Sequence, residues 1–517
     1  MENKDLKDNS KLTRFEFAFL IIVAIVTITI VSACSPLYPF NPWEDTNCFF
    51  TLGRGIIHGL VPYRDLYEQK GPLLYFLYAF AALLSEKSFV GAWILECVAA
   101  TVYAVYSWKI AKLFAKPSKF CIFFVPLLLA GTYTLLMFNF GGNAEELCFP
   151  LLSIALYTGL RSLVVLRRLP SNSEALLCGI LSAVLFWIKY TFLGFMAGFV
   201  ICILFFALKH KLFGKLWSLV WRFILGFVFF SVPILIYFQI NNALGSLWEA
   251  YFYNNMFLYL GSAQADVSFD IPLIKYICIP IVCLIKSAEL YPVYGMLFLF
   301  SVISPIFASK TQRKTLYYFL GVTLLFASAF VFTKVSVLYY YGYILSYSFA
   351  LILIPVIKCI NKLESKIKKK QTLLSVAISI ILTVLYFMVL FTSKNMYLIF
   401  KPKEYLSQFR ISETVNQTPD AKILTYDVMD CGFYTASGLL PANRYYCYLI
   451  IESDYPAIKD EQNSLIAEGY FDYIITTYNC ECDWKNYDLI QKEKGQYNDQ
   501  YGNSLTEGYK LYKRDDS

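Results

Sequence analysis

Residues 15–34 read FEFAFLIIVAIVTITIVSAC, an apolar run broken only by Glu16 near its start. At 1.5 Å per residue, a helix of about 20 residues spans the roughly 30 Å of a bilayer's hydrocarbon core. The next stretch has a different character. Residues 35–72 pass through Asn41-Pro42-Trp43-Glu44-Asp45, Gly53-Arg54-Gly55 and His58-Gly59 to Pro62-Tyr63-Arg64-Asp65-Leu66-Tyr67-Glu68-Gln69-Lys70-Gly71-Pro72. They are rich in Gly, Pro, aromatic rings and charges of both signs, and far longer than a simple connector.

The alternation repeats along the chain. Of the 517 residues 58% are hydrophobic and 16% charged, well below the quarter or so usual in soluble domains. Apolar runs at 15–34, 89–108, 120–137, 147–166, 174–188, 192–208, 218–238, 290–308, 315–333, 336–357 and 372–393 predict about eleven spans. Two further stretches, 72–85 and 271–287, are short or interrupted by Lys275 and prolines. The basic residues decide between the two counts. With both stretches in the outer interface, Lys109, Lys112, Lys116, Lys119, Arg161, Arg167, Arg168, Lys209, Lys211, Lys215 and Arg222 fall in the cytoplasm, and Lys189 alone lies outside in that region. Counting them as spans reverses the whole set. The reading is therefore a multi-pass cell-membrane protein with a cytoplasmic N-terminus and an extracytoplasmic C-terminus. Val31-Ser32-Ala33-Cys34 has the look of a lipoprotein cleavage box, but its small residues equally suit a helix end.

The fold class expected is an all-α polytopic bundle over 1–393, with its first outer loop at 35–88 carrying interfacial helices, and a small extracytoplasmic α/β domain over 394–517. In that domain residues 422–426 and 471–476 read as buried strands, with a short helix opening in 430–440. Within the loop, 47–58 can form an amphipathic helix with Phe49, Phe50, Ile56 and Ile57 toward lipid. The net charge of +8 sits at the ends of apolar runs rather than in a basic stripe, which excludes nucleic-acid binding. Several of the 14 cysteines, Cys97, Cys121, Cys178 and Cys202 among them, lie in apolar runs as small hydrophobes; Cys431, Cys447, Cys480 and Cys482 are candidates for disulfides outside the cell.

An acid directly after the first span, then Lys70-Gly71-Pro72-Leu73-Leu74-Tyr75 entering an apolar stretch, resembles the GT-C superfamily of polyprenyl-phosphate-sugar glycosyltransferases. Nearest is the protein-mannosyltransferase and aminoarabinose-transferase group (glycosyltransferase family 39-like). Three shorter sites extend the resemblance: Gly141-Gly142-Asn143-Ala144-Glu145-Glu146, Trp187-Ile188-Lys189-Tyr190-Thr191, and Thr333-Lys334 before Tyr339-Tyr340-Tyr341. The family often writes Asp-Glu and Lys-Pro-Pro where this chain has Glu44-Asp45 and Lys70-Gly71-Pro72, which leaves open which carboxylate is the base.

The resemblance implies a membrane transferase for a hexosyl or pentosyl group, working at the outer face. Its donor would be a polyprenyl-phosphate-linked sugar and its acceptor a glycan, lipid or protein of the cell envelope or cell wall. The chemistry asks for the same groups without the family name. A carboxylate near the acceptor hydroxyl serves as base, and fixed cations stabilise the departing lipid phosphate. Asp45 is assigned the base, with Glu145 or Glu146 as a second acid that positions acceptor or a divalent metal ion, the one cofactor the acids could hold. Lys70 is assigned to the phosphate, assisted by Arg64, Lys189 and Lys334. Each has a structural alternative: Asp45 suits a helix N-cap, Glu145 and Glu146 suit a helix start, and the lysines can snorkel. A transporter or flippase of lipid-linked saccharide is the competing function. It would require charges at mid-membrane, where Glu96 is the main example.

Overall fold

The computed structural model describes residues 10–118, 120–258, 272–332, 339–366, 371–494, 497–498, 504–505 and 508–515. The first apolar run forms helix α1 (Arg14–Val31), opened by a capping box in which Thr13 and Glu16 exchange side-chain and backbone hydrogen bonds. Among the described residues, seven helical stretches are long and apolar enough to cross a membrane: Arg14–Val31, Val90–Phe114, Ala144–Val165, Asn172–Lys209, Phe213–Ile240, Lys310–Val331 and Tyr340–Glu364. Shorter apolar helices lie at Pro72–Leu84, Cys121–Tyr133, Pro292–Phe307 and Val376–Leu390. Asn172–Lys209 breaks at Lys189, whose backbone is extended, so it is two helices joined by a 3-10 turn. Over the described residues, each of the sequence-derived spans overlaps one of these elements. The doubtful stretch 72–85 is a helix of 13 residues, about 20 Å long. Of the other, 271–287, the described part lies in helix Pro272–Leu290.

The helices that carry the site are α2 (Glu44–Ile57) and α3 (Pro72–Leu84) in the first loop, then α4 (Val90–Phe114), α5 (Phe124–Tyr133), α6 (Ala144–Gly159) and α7 (Asn172–Lys189). Helix α2 is amphipathic in sequence but does not lie on lipid. Phe49 and Phe50 are fully buried, against Tyr78 at 5.6 Å and Phe89 at 4.8 Å between ring centroids. Helix α3 covers one side, and Gly53 lets it approach so closely that a Cβ there would lie 2.4 Å from the Tyr78 carbonyl carbon. The C-terminal segment covers another. Arg54, itself buried, donates to the carbonyls of Tyr434, Gly438 and Leu439 at 2.7–3.1 Å. The lipid-facing expectation therefore fails for Phe49 and Phe50, while Ile56 and Ile57 at the end of the helix are half-buried.

The C-terminal segment builds a four-stranded sheet in the order β1 (Ile423–Tyr426), β2 (Tyr473–Thr477), β6 (Gly508–Arg514), β3 (Tyr487–Lys494). Strands β1 and β2 run parallel and the other pairs antiparallel, while β4 (Tyr497–Asn498) and β5 (Ser504–Leu505) form a small separate ribbon. The strands expected at 422–426 and 471–476 are β1 and β2, and the helix expected in 430–440 is Phe433–Ser437, flanked by Gly432 and Gly438. One face of the sheet joins the main core through Ile423, Ile475 and Leu511; the other packs its own cluster of Leu424, Ile474 and Phe471. Cys480 and Cys482 are bonded to each other, and Cys431 and Cys447 are both buried.

Candidate active site

Asp45 lies in the first turn of α2, the end at which the helix dipole favours a carboxylate. It does not cap the helix. The N-cap is Trp43, held by an Asx turn in which Asn41 Oδ1 accepts from the Trp43 N–H at 2.9 Å. That turn aims Asp45 toward the loop that returns at Glu68–Lys70.

The returning loop is set by two tyrosines. Tyr63 takes a positive φ of 68°, its N–H closing on Leu66 O at 2.7 Å, which reverses the chain. The hydroxyls of Tyr63 and Tyr75 then donate to the Lys70 carbonyl at 2.6 and 3.0 Å. Tyr75 also donates to the Glu68 carboxylate, which accepts the Lys70 N–H at 2.8 Å. Lys70 Nζ stands 3.8 Å from both Asp45 Oδ1 and Glu68 Oε1. Gly71 lets this loop pass against the end of α7: its N–H donates to Ile188 O at 2.9 Å, and a Cβ there would lie 2.0 Å from Trp187 O.

Lys189 is the last residue of α7, where a cation suits the dipole. Its Nζ meets Glu145 Oε1 at 2.7 Å and lies 3.7 Å from the centroid of the Tyr341 ring. Glu145 comes from the start of α6, placed by the tight Gly141–Gly142 turn, where φ is 85° and 81° and a Cβ would collide with Glu96, Ser32, Thr46 and Tyr78. Asn143 caps α6 by accepting the Glu146 N–H at 3.0 Å.

Asp45, Glu68, Lys70 and Lys189 line one cavity of about 260 Å³, together with the polar Gln69, Tyr190, Tyr251, Asn255 and Tyr341. Phe330 and Val331 supply an apolar wall from the bundle, and Met429, Leu449 and Ile450 one from the C-terminal segment. Burial holds the Asp45 carboxyl above the ordinary range; Lys70 and Lys189 pull it down, and Glu68 and Glu145 push it up. Asp45 is thereby electrically coupled to both lysines and both neighbouring acids.

Other candidates lie elsewhere. Arg64 projects from the surface turn onto Asp65 and Asn241 O, outside the cavity. Glu146 turns into the bundle, where the Gly142 N–H donates both to it at 2.5 Å and to Glu96 at 2.9 Å. Lys334 lies outside the described residues. His58 pairs with Glu86 at 2.8 Å. Sequence reading missed Glu68, whose signal is its position two residues before Lys70, and Asn255, for which the sequence carries none.

Among the described residues the cavity acids face lysines and do not converge as a set of three metal ligands. The grouping that does so is Asp427 with Cys480 and Cys482, on the C-terminal sheet, and its two sulfurs are bonded to each other.

No family model matches the chain, and no curated protein matches it. Among solved structures it is similar to ArnT from Cupriavidus metallidurans bound to undecaprenyl phosphate, at a TM-score of 0.56 and 10% identity, covering 96% of this chain and 97% of that one. The apo state of the same protein is similar at a TM-score of 0.48 and 10% identity, over the same shares. The arabinofuranosyltransferase AftD from mycobacteria scores 0.44 at 11% identity, over 99% of this chain and 40% of that one. The first of these spans both the helical bundle and the C-terminal sheet, and on it the chain has the fold of ArnT, the GT-C fold that the first-loop motif led us to expect.

Proposed function

We propose that the chain is a membrane glycosyltransferase that moves a hexosyl or pentosyl group from a polyprenyl-phosphate carrier to a cell-envelope acceptor at the outer face. In this reading residues 1–393 form about eleven spans with a cytoplasmic N-terminus, and 394–517 stand outside the membrane. The observation that carries it is the meeting of Asp45, Lys70 and Lys189 in one cavity with apolar walls. ArnT binds undecaprenyl phosphate, a polyprenyl phosphate, and the shared fold supports the same class of carrier here.

The acceptor hydroxyl attacks the anomeric carbon as the bond from that carbon to the phosphate oxygen breaks. The phosphate leaves with the electron pair, and the acceptor proton passes to Asp45. The sugar carbon is cationic in the transition state while negative charge grows on the phosphate. Lys70 and Lys189 are fixed before that charge develops, so they stabilise the transition state more than the ground state. The raised Asp45 carboxyl is a stronger base than a solvated one. Phe330 and Val331 offer the isoprenoid chain a surface to lie on.

The transporter reading finds less support. Glu96 is held by Ser32 Oγ at 2.8 Å and by the Gly142 N–H, on the loop side of the bundle, and its role there is to brace the turn that carries Glu145. The test is release of polyprenyl phosphate from labelled pentosyl and hexosyl donors by the purified protein. Asp45→Asn should slow release by roughly 10²–10⁴-fold. Wild-type rates in that variant would remove Asp45 as the base, and no release from any donor would remove the reading.

A further inference from the structure

Glu68 and Gln69 stand directly before Lys70 in the loop, and both line the cavity. Both are buried, at 6% and 8% exposed. The Glu68 carboxylate is held through one oxygen: Oε2 accepts the Lys70 N–H at 2.8 Å and the Tyr75 hydroxyl. Its other oxygen, Oε1, faces Lys70 Nζ at 3.8 Å, longer than a hydrogen bond. Gln69 is held through its main chain. Asn255 Nδ2 donates to its carbonyl at 2.6 Å and to that of Tyr251 at 3.0 Å. The amide at the end of its side chain is different: among the described residues its Nε2 is buried with no hydrogen-bond partner.

A buried polar group without a partner is costly, and native proteins keep few of them. One that belongs to a cavity, on a loop otherwise fixed by hydrogen bonds, is explained by a ligand that supplies the missing bond. An amide presents a donor at one end and an acceptor at the other, while Glu68 Oε1 presents an acceptor. A sugar hydroxyl both donates and accepts, so two hydroxyls of one sugar satisfy the amide and the carboxylate together. A phosphodiester brings acceptors only; it suits the lysines and is repelled by Glu68. Position along the chain says which sugar is read. On the carrier reading proposed above, on which this inference rests, Lys70 holds the donor phosphate, and the anomeric carbon is one bond from a phosphate oxygen. We propose that Glu68 and Gln69 form the subsite for the transferred sugar, each reading one of its hydroxyls, so that the donor carries a sugar with both hydroxyls unsubstituted.

The test is equilibrium binding in detergent by full-length Asp45→Asn protein, in which transfer is slowed and the donor survives. The probes are undecaprenyl phosphate and the same lipid phosphate carrying glucose, mannose, arabinose or ribose, with single-deoxy forms of the sugar that binds best. That sugar should bind more tightly than the bare carrier by about 10-fold or more. Gln69→Leu in the same background should remove the gain while keeping the affinity for undecaprenyl phosphate, which also reports a folded protein. Glu68→Gln, which retains an acceptor for the Tyr75 hydroxyl and the Lys70 N–H, should cost the gain several-fold through the lost charge. Deleting the hydroxyl that Gln69 reads should weaken binding to the Asp45→Asn protein and cost nothing further once Gln69 is leucine. A gain that survives Gln69→Leu, or an affinity for the bare carrier that falls by as much, overturns the subsite. So does a set of sugars of which none binds better than the bare carrier. Failure of undecaprenyl phosphate itself to bind overturns the carrier reading, and the subsite with it.

Discussion

Gly71→Ala should disable the site without touching a charged group. The backbone at Gly71 has φ −73° and ψ 148°, which alanine adopts freely, so the penalty is purely steric. The new Cβ would lie 2.0 Å from Trp187 O, 2.5 Å from Trp187 C and 2.9 Å from Ile188 O, all backbone atoms that cannot rotate aside. Reaching an ordinary contact requires the Lys70 loop and the end of α7 to separate by about 1.4 Å, and a displacement of about 1 Å already costs roughly 100-fold in rate. In free energy that is about 2.7 kcal/mol of transition-state stabilisation. Overpacking adds about 1–3 kcal/mol of lost stability, and weakening the Gly71 N–H to Ile188 O bond adds about 1 more. Turnover of a labelled polyprenyl-phosphate sugar and thermal unfolding in detergent read the two effects separately. Gly245→Ala is the control, since a Cβ there meets nothing within 4 Å. A folded Gly71→Ala protein with wild-type turnover would refute the claim that Lys70 and Lys189 must share this spacing.

Three more outcomes rest on the same set of contacts. In Lys70→Met the Asp45 carboxyl loses its largest downward pull, so the acid limb of the pH–rate profile should move to higher pH while turnover falls; a limb moving to lower pH contradicts the pairing. Asp430, buried between Thr51 and the Gly432 N–H, is pushed up to about 6, so its contribution to stability is fully present below the unfolded value near 4 and is lost as pH rises through 6. Relative to Asp430→Asn, the wild type should therefore gain on the order of 1 kcal/mol on going from pH 7 to pH 5, and an equal pH response in both proteins would refute the assignment. Arg54→Met removes the three hydrogen bonds that tie α2 to Tyr434, Gly438 and Leu439 and should cost roughly 3 kcal/mol, seen as easier proteolytic release of the C-terminal segment.

Apolar length and charge bias are properties of the chain taken a few residues at a time, and the features that depend on them were legible in the sequence. The run at 15–34 became α1, the break at Lys189 separates two helices, and strands β1 and β2 stand where 422–426 and 471–476 predicted them. The first-loop motif led to the fold, and through it to Asp45, Lys70 and Lys189, which do share a cavity. Which face of a helix is covered, and which charges meet, depends on what packs from far along the chain. Phe49 and Phe50 looked lipid-facing because their helix is amphipathic; Tyr78 of α3 and Phe89 pack against them, while Arg54 one turn on binds a segment almost 400 residues away. Arg64 and Lys70 are both basic and six positions apart, yet the reversed turn at Tyr63 leaves one on the surface and delivers the other to Asp45. Glu145 and Glu146 are adjacent, but neighbours on a helix point about 100° apart, so one reaches Lys189 and the other Glu96's side of the bundle. The apolar wall of Met429, Leu449 and Ile450 exists only because the C-terminal segment folds back over the loop, a long-range contact that no local pattern encodes.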